Sequence, residues 1–250
     1  MRVLVLGVGD AFTRLHFGSS ALIEAPGGYV LLDCPDSIHR CLHEATSRAG
    51  WSADTSSIDD ILLTHLHGDH CNGLESFGFA RRILNQGAAP GAGRPLPRIH
   101  TSRAAAARLW ERLAPAMDAA TTPSPRSLDD YYEIHDLEPG TKAAVAGLTV
   151  ECRFTQHPVP TLGLLISDGT GTLGWSSDTP FDEAHLQWLS RADVIVHECN
   201  RPPMHTPIES FTALPPELTA KIRLNHLPDD FDPSSTAMSP LREGEVLVVG

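Results

Sequence analysis

Four side chains able to hold a metal ion fall within six residues of this chain, in the run His65-Leu66-His67-Gly68-Asp69-His70. Neutral imidazole nitrogens and a carboxylate are donors that zinc, iron and manganese accept. The run follows Ile61-Leu62-Leu63-Thr64, which reads as a buried strand. On an extended segment His65 and His67 alternate and point to one side together. Asp69 and His70 then turn towards a second position, so the spacing suits two metals better than one. Buried without a cation, such groups would stay unpaired at a cost of about 1–3 kcal/mol each. The cluster therefore reads as a metal loop.

Three further donors stand where apolar strands meet loops: His157, Asp178 and His226. Strand ends are where a layered α/β fold presents functional groups. With the first cluster they make seven ligands, enough for two metals bridged by one carboxylate with water still bound. His16, His39, His43, His100, His135 and His185 lack such company and are read as structural. Asp33, ending another strand, is placed to support a metal-binding histidine. Cys71 adjoins the loop but is read as packing.

The elements that must position these groups follow from hydrophobic periodicity. Strands are expected at 3–6, 20–24, 29–33, 58–64, 98–101, 142–145, 148–155, 161–167, 172–176 and 194–197. Helices are expected at 38–49, 74–84, 103–117, 186–192 and 215–222. No linker divides the chain, which reads as a single domain over 1–250 with an irregular connection at about 85–130, rich in Gly, Ala and Pro.

Composition narrows the function. With 19 basic and 31 acidic residues the net charge is −12, which disfavours a partner gripped through long runs of phosphates. No apolar run is long enough to span a bilayer. Met1-Arg2 leads directly into a strand pattern, not a signal peptide. Five scattered cysteines, with no CxxC pair, suggest reduced thiols and a cytoplasmic protein.

The ordered pattern HxHxDH, histidine, aspartate, histidine resembles the metallo-β-lactamase superfamily over nearly the whole chain. The resemblance implies an α/β fold, an αββα sandwich of two mixed sheets packed face to face with helices outside. It implies that His65, His67 and His157 hold one metal and Asp69, His70 and His226 the other, with Asp178 bridging. Zinc is the expected metal, with manganese or iron as alternatives. The segments Leu128-Asp129-Asp130-Tyr131-Tyr132, Val196-His197-Glu198, Met204-His205-Thr206 and Leu224-Asn225-His226-Leu227-Pro228-Asp229-Asp230 resemble the anti-Pycsar phosphodiesterases of the nuclease-Z-like branch. That resemblance implies a homodimer hydrolysing 3′,5′-cyclic mononucleotides, including the messengers of antiphage signalling. A short-RNA nuclease, a lactonase or thioesterase, and a non-catalytic nucleotide sponge are the alternatives. In the implied mechanism the metal pair activates water for in-line attack, and Asp69 orients it. His197 is the candidate general acid with Glu198 orienting it, or equally a supporting histidine that orients a ligand without transferring protons, and His205 is a further substrate contact. Tyr131, Tyr132 or Phe77 is a candidate face for the base.

Overall fold

The structure, a computed structural model, describes residues 1–89 and 92–250; of the expected irregular connection, residues 90 and 91 lie outside the described residues. The chain begins with an antiparallel meander, β1 (Arg2–Gly7), β2 (Ser20–Ala25) and β3 (Gly28–Leu32). Its β2–β3 turn needs glycine, because Gly28 has φ +130°. The amphipathic helix α1 (Ile38–Ala49) then crosses over to β4 (Ile58–Leu62), parallel to β3. After a four-residue helix α2 (Gly68–Cys71), α3 (Leu74–Gln86) leads to β5 (Arg98–Thr101), and α4 (Arg103–Met117) leads to β6 (Glu133–Asp136). Ser102 caps α4 by accepting the Ala105 N–H at 3.2 Å.

The second half starts with antiparallel β7 (Lys142–Val145), β8 (Leu148–Phe154), β9 (Leu162–Ser167) and β10 (Thr172–Trp175). Helix α5 (Glu183–Leu189) carries the chain to β11 (Val194–Glu198), and α6 (Pro216–Thr219) to β12 (Ile222–Asn225). Short strands β13 (Ser239–Pro240) and β14 (Val246–Val248) complete the two sheets. Each sheet has seven strands, ordered β14-β1-β2-β3-β4-β5-β6 and β13-β12-β11-β10-β9-β8-β7.

Side-chain alternation sorts the core into layers. Val3, Val5, Ile23 and Leu32 of the first sheet pack with Val150, Leu164, Ile166 and Val196 of the second. Leu4, Leu6, Leu22 and Leu31 face the other way, against α1, α3 and α4. Leu165, Ile195 and Leu224 meet α5 and Phe211. The result is the helix–sheet–sheet–helix sandwich that the family resemblance implies.

Several boundaries differ, each for a local reason. β4 ends at Leu62, two residues before the expected 64, because Thr64 N–H leaves the ladder to donate to Asp33 at 2.8 Å. α5 starts at Glu183 instead of 186, because Asp182 caps the Ala184 and His185 N–H groups. α6 stops at Thr219, so Ile222, expected to close this helix, opens β12. β6, unanticipated, is Glu-Ile-His-Asp, an edge strand with no apolar run to betray it.

Candidate metal centre

The donors gather where strands of both sheets end. Asp33 follows β3 in the left-handed region at φ 58°, a costly conformation that a non-glycine residue adopts where its surroundings enforce it. Its carboxylate accepts from Thr64 N at 2.8 Å, Thr64 Oγ1 at 2.8 Å and His70 Nδ1 at 2.8 Å. One buried group thus sets both the departure of the metal loop from β4 and the orientation of His70. His65 and His67 lie on the link between β4 and α2, beyond the strand itself, and His67 has extended backbone (φ −69°, ψ 153°). Asp69 and His70 belong to α2. His157 lies in the β8–β9 loop and Asp178 beyond β10, tied to each other's segments by Thr155 Oγ1 donating to the Asp178 carbonyl at 2.8 Å. His226 follows β12 at φ 54°, and the next N–H, of Leu227, reaches back to the Val8 carbonyl at 2.8 Å.

Two groups of donors result. His65, His67, His157 and Asp178 form one and Asp69, His70, Asp178 and His226 the other, with ligand atoms in each within 4.8 Å of one another. Asp178 is common to both. Its Oδ2 lies 3.7 Å from His65 Nε2, 3.7 Å from His157 Nε2 and 3.6 Å from His226 Nε2, and its Oδ1 lies 3.4 Å from His70 Nε2. His65 and His70 each have one ring nitrogen anchored, Nδ1 to Thr64 and Asp33 respectively. Their Nε2 atoms are buried without a hydrogen-bond partner and aim at Asp178. His67 Nδ1 and His157 Nε2 face each other at 3.0 Å. Buried polar atoms are ordinarily paired. Convergent imidazole nitrogens around carboxylates fit divalent cations with ligands at about 2.1 Å, and the backing of His70 by Asp33 is the support that metal-bound imidazoles receive.

Electrostatics divide the donors into two sorts. Burial pushes His65 well below the ordinary imidazole range, and His157 to about 4. Burial opposes charge on His70 too, but Asp178, Asp33 and Asp69 outweigh it and raise this residue well above its usual value. Burial raises Asp178, yet His226 and His70 hold it well below the usual carboxylate range.

Of the other candidates, Glu198 and His205 join the centre and His197 does not. Glu198 is buried, accepts the Thr179 N–H, and lies 3.1 Å through each oxygen from His205 Nδ1. Burial and the charge of Asp178 push Glu198 well above the carboxylate range. Along β11, Val196 faces the inter-sheet core and Glu198 the centre, which sends Ile195, His197 and Cys199 to the opposite face. There the His197 ring packs edge-on against Phe211 at 5.1 Å, and its Nδ1 donates to the Glu198 carbonyl at 2.8 Å. The expectation that His197 reaches the substrate is therefore corrected. Tyr131, Tyr132 and Phe77 are likewise buried in the outer helical layer and offer no face to a base. Cys71 is buried in that layer too.

The centre opens into a pocket of about 510 Å³ lined by His67, Asp69, Asp178, His205 and His226, and by two loops, Asp10–Phe12 and Asn200–Met204. The sequence reading missed the first of these loops and named only the far end of the second, at Met204. An unmatched aromatic after Gly7-Val8-Gly9-Asp10, at the end of a strand, is the signal that marks the first. Among the described residues no helix is long and apolar enough to cross a membrane.

Comparison with known proteins places this architecture. The family model described as anti-Pycsar protein Apyc1 matches residues 1–244. An anti-Pycsar protein Apyc1 of Paenibacillus sp. (strain J14) is 30% identical over 98% of both chains. One from Bacillus phage BSP38 is 26% identical over 96% of this chain and 94% of that one. Among solved structures, the metallo-β-lactamase fold protein YhfI from Bacillus subtilis superposes with a TM-score of 0.79 at 18% identity, covering 98% of each chain. The sandwich is thus a metallo-β-lactamase fold, and the chain belongs to the anti-Pycsar protein Apyc1 family.

Proposed function

We propose that the chain is a two-metal hydrolase that opens 3′,5′-cyclic mononucleotides, with zinc as the resident metal. The observation that carries this reading is the sharing of Asp178 between two donor groups at the floor of an open pocket. The family's name, which points to countering pyrimidine cyclic-nucleotide signalling, supports the substrate class. Bound to these seven residues, a cation pair would supply Lewis acidity, polarising phosphate oxygens and easing deprotonation of a water.

The chain's own residues account for the rest. Burial keeps His65, His67 and His157 neutral. His70 and His226 would give up a proton to coordinate, because the carboxylates beside them favour their charged forms, and Asp178 and Asp69 would balance the charge of the cations. Asp69, which lines the pocket, orients the attacking water. His205, with Nδ1 against the Glu198 carboxyl, lines the pocket; its other ring nitrogen gives its proton to the departing ribose oxygen while the carboxyl proton of Glu198 passes to Nδ1. In this reading His205 takes the acid role and Glu198 positions it. The five cysteines are buried and free, in keeping with a reducing cytoplasm. We also propose a homodimer, on the family resemblance, to be tested by sedimentation.

The test is turnover by purified, metal-quantified protein of the 3′,5′-cyclic mononucleotides, with Asp178→Ala as control. Ring opening lost in the control supports the proposal. Two bound metals without ring opening would overturn it, and lactones, thioesters and short RNA would be tried next.

A further inference from the structure

Phe12 is the most exposed large apolar side chain among the described residues, at 88%, yet its backbone is held on both sides. The Asp10 carboxylate, only 7% exposed, accepts the Phe12 N–H at 2.9 Å through one oxygen. Its other oxygen accepts from Asn200 Nδ2 at 2.9 Å, and that amide also donates to the carbonyl of His226 at 3.1 Å. Past Phe12, Thr13 Oγ1 donates to Asp229 at 2.6 Å and Arg14 N–H to the same carboxylate at 2.9 Å. The tip between these anchors contributes nothing to any apolar core, so core packing does not explain why it is pinned. It does line the metal pocket, together with Pro202, Pro203 and Met204 of the loop that Asn200 ties to it. Met204 is itself 39% exposed. The nearby cation, Arg201, is already paired through one nitrogen with both oxygens of Asp230 at 2.6 and 2.7 Å.

We propose that Phe12 is the stacking face for the nucleobase, held at the rim of the metal pocket by Asp10, with Met204 completing the apolar wall. This rests on the nucleotide reading above for its ligand class and adds the residue that recognises the ring. A polar floor takes the phosphate, and an aromatic face beside it takes a planar heterocycle, which stacks on phenyl whatever its edges carry. Phe12 is a substrate-binding residue and takes no part in proton transfer, so its loss separates affinity from chemistry.

The test uses zinc-loaded protein and two probes that differ only in the ring, a nucleoside 5′-monophosphate and ribose 5-phosphate, with affinities from calorimetry. Wild type is expected to prefer the nucleotide by about tenfold, the scale of a single base–aromatic stack. Phe12→Ala should reduce that preference to about twofold by weakening the nucleotide alone, with metal content and Tm unchanged, and Phe12→Tyr should restore it. A preference unchanged in Phe12→Ala, or equal weakening of both probes, would overturn the assignment while leaving the hydrolase reading intact. A Phe12→Ala variant that keeps its preference but sediments as a smaller species would give the side chain to a subunit contact instead. A wild type with no preference for the nucleotide would count against the nucleotide reading itself, and the assignment would fall with it.

Discussion

Asp60 and His65 stand five residues apart on the same strand and the link that leaves it, and each gathers a cluster of charged and imidazole groups. At Asp60 every donor is answered. Arg98 approaches both oxygens through Nε and Nη2, and His100 Nε2 donates to one of them at 2.7 Å. At His65 and His70 the inward nitrogens are buried and unanswered. Composition does not separate the two clusters, since both mix histidine and aspartate. Pairing does: the first is a closed brace between β4 and β5, the second a set of donors converging on a centre that no side chain fills. A closed ion pair leaves no donor or acceptor for a ligand to satisfy, whereas convergent unpaired nitrogens call for one.

The contrast can be broken in four ways. The largest effect is expected from Asp178→Ala, which removes the group common to both donor sets. Bound metal should fall below two ions per chain by elemental analysis, and ring opening by about 10³-fold or more. Retention of both ions would mean that Asp178 is no bridge. At the brace, Asp60→Ala leaves His100 and Arg98 without their acceptor and should cost about 2–3 kcal/mol in urea unfolding. Metal content should stay unchanged there, and a fall in it would show that the two clusters are coupled. Between these lies Asp33→Asn, which keeps a shape but weakens the support of His70. Metal affinity in competition with a chelator should drop about 10–100-fold.

The smallest effect sharpens the contrast through pH. Burial works against the Asp60 charge, but Arg98 and His100 outweigh it and lower its pKa from 3.8 to about 2. A carboxylate depressed on folding stabilises the protein above its unfolded value and loses that contribution as the pH falls through the folded one. The brace should therefore weaken between pH 4 and 2, by about 2 kcal/mol in all, and Asp60→Asn should abolish that part of the acid dependence. The metal centre should let go at higher pH, because histidines must be neutral to coordinate. Metal release coincident with acid unfolding would contradict this separation.

The donors were legible because coordination demands particular side chains, and neither packing nor solvation calls for four of them within six residues. His157, Asp178 and His226 were legible as residues at strand ends, though only the fold shows that those ends meet. The error at His197 has a physical source. β11 is apolar on both faces, so its alternation does not tell which of two adjacent residues, His197 or Glu198, turns inward. Strand β6 escaped because an edge strand needs no apolar face of its own. The rim loop escaped because its order comes from Asp10 and Asp229, whose partners lie 190 and 216 residues away along the chain.

The order in which donors appear along the chain has a consequence for biosynthesis. The first donor cluster begins at His65 and the last donor is His226, so the second donor group cannot close until the chain has been made through a residue 161 positions beyond the first. A truncated product would carry the histidine loop without the partners that make it selective. Closure of the second donor group thus requires the second sheet, and the stoichiometry of bound metal to chain is expected to report whether both sheets have been made and joined.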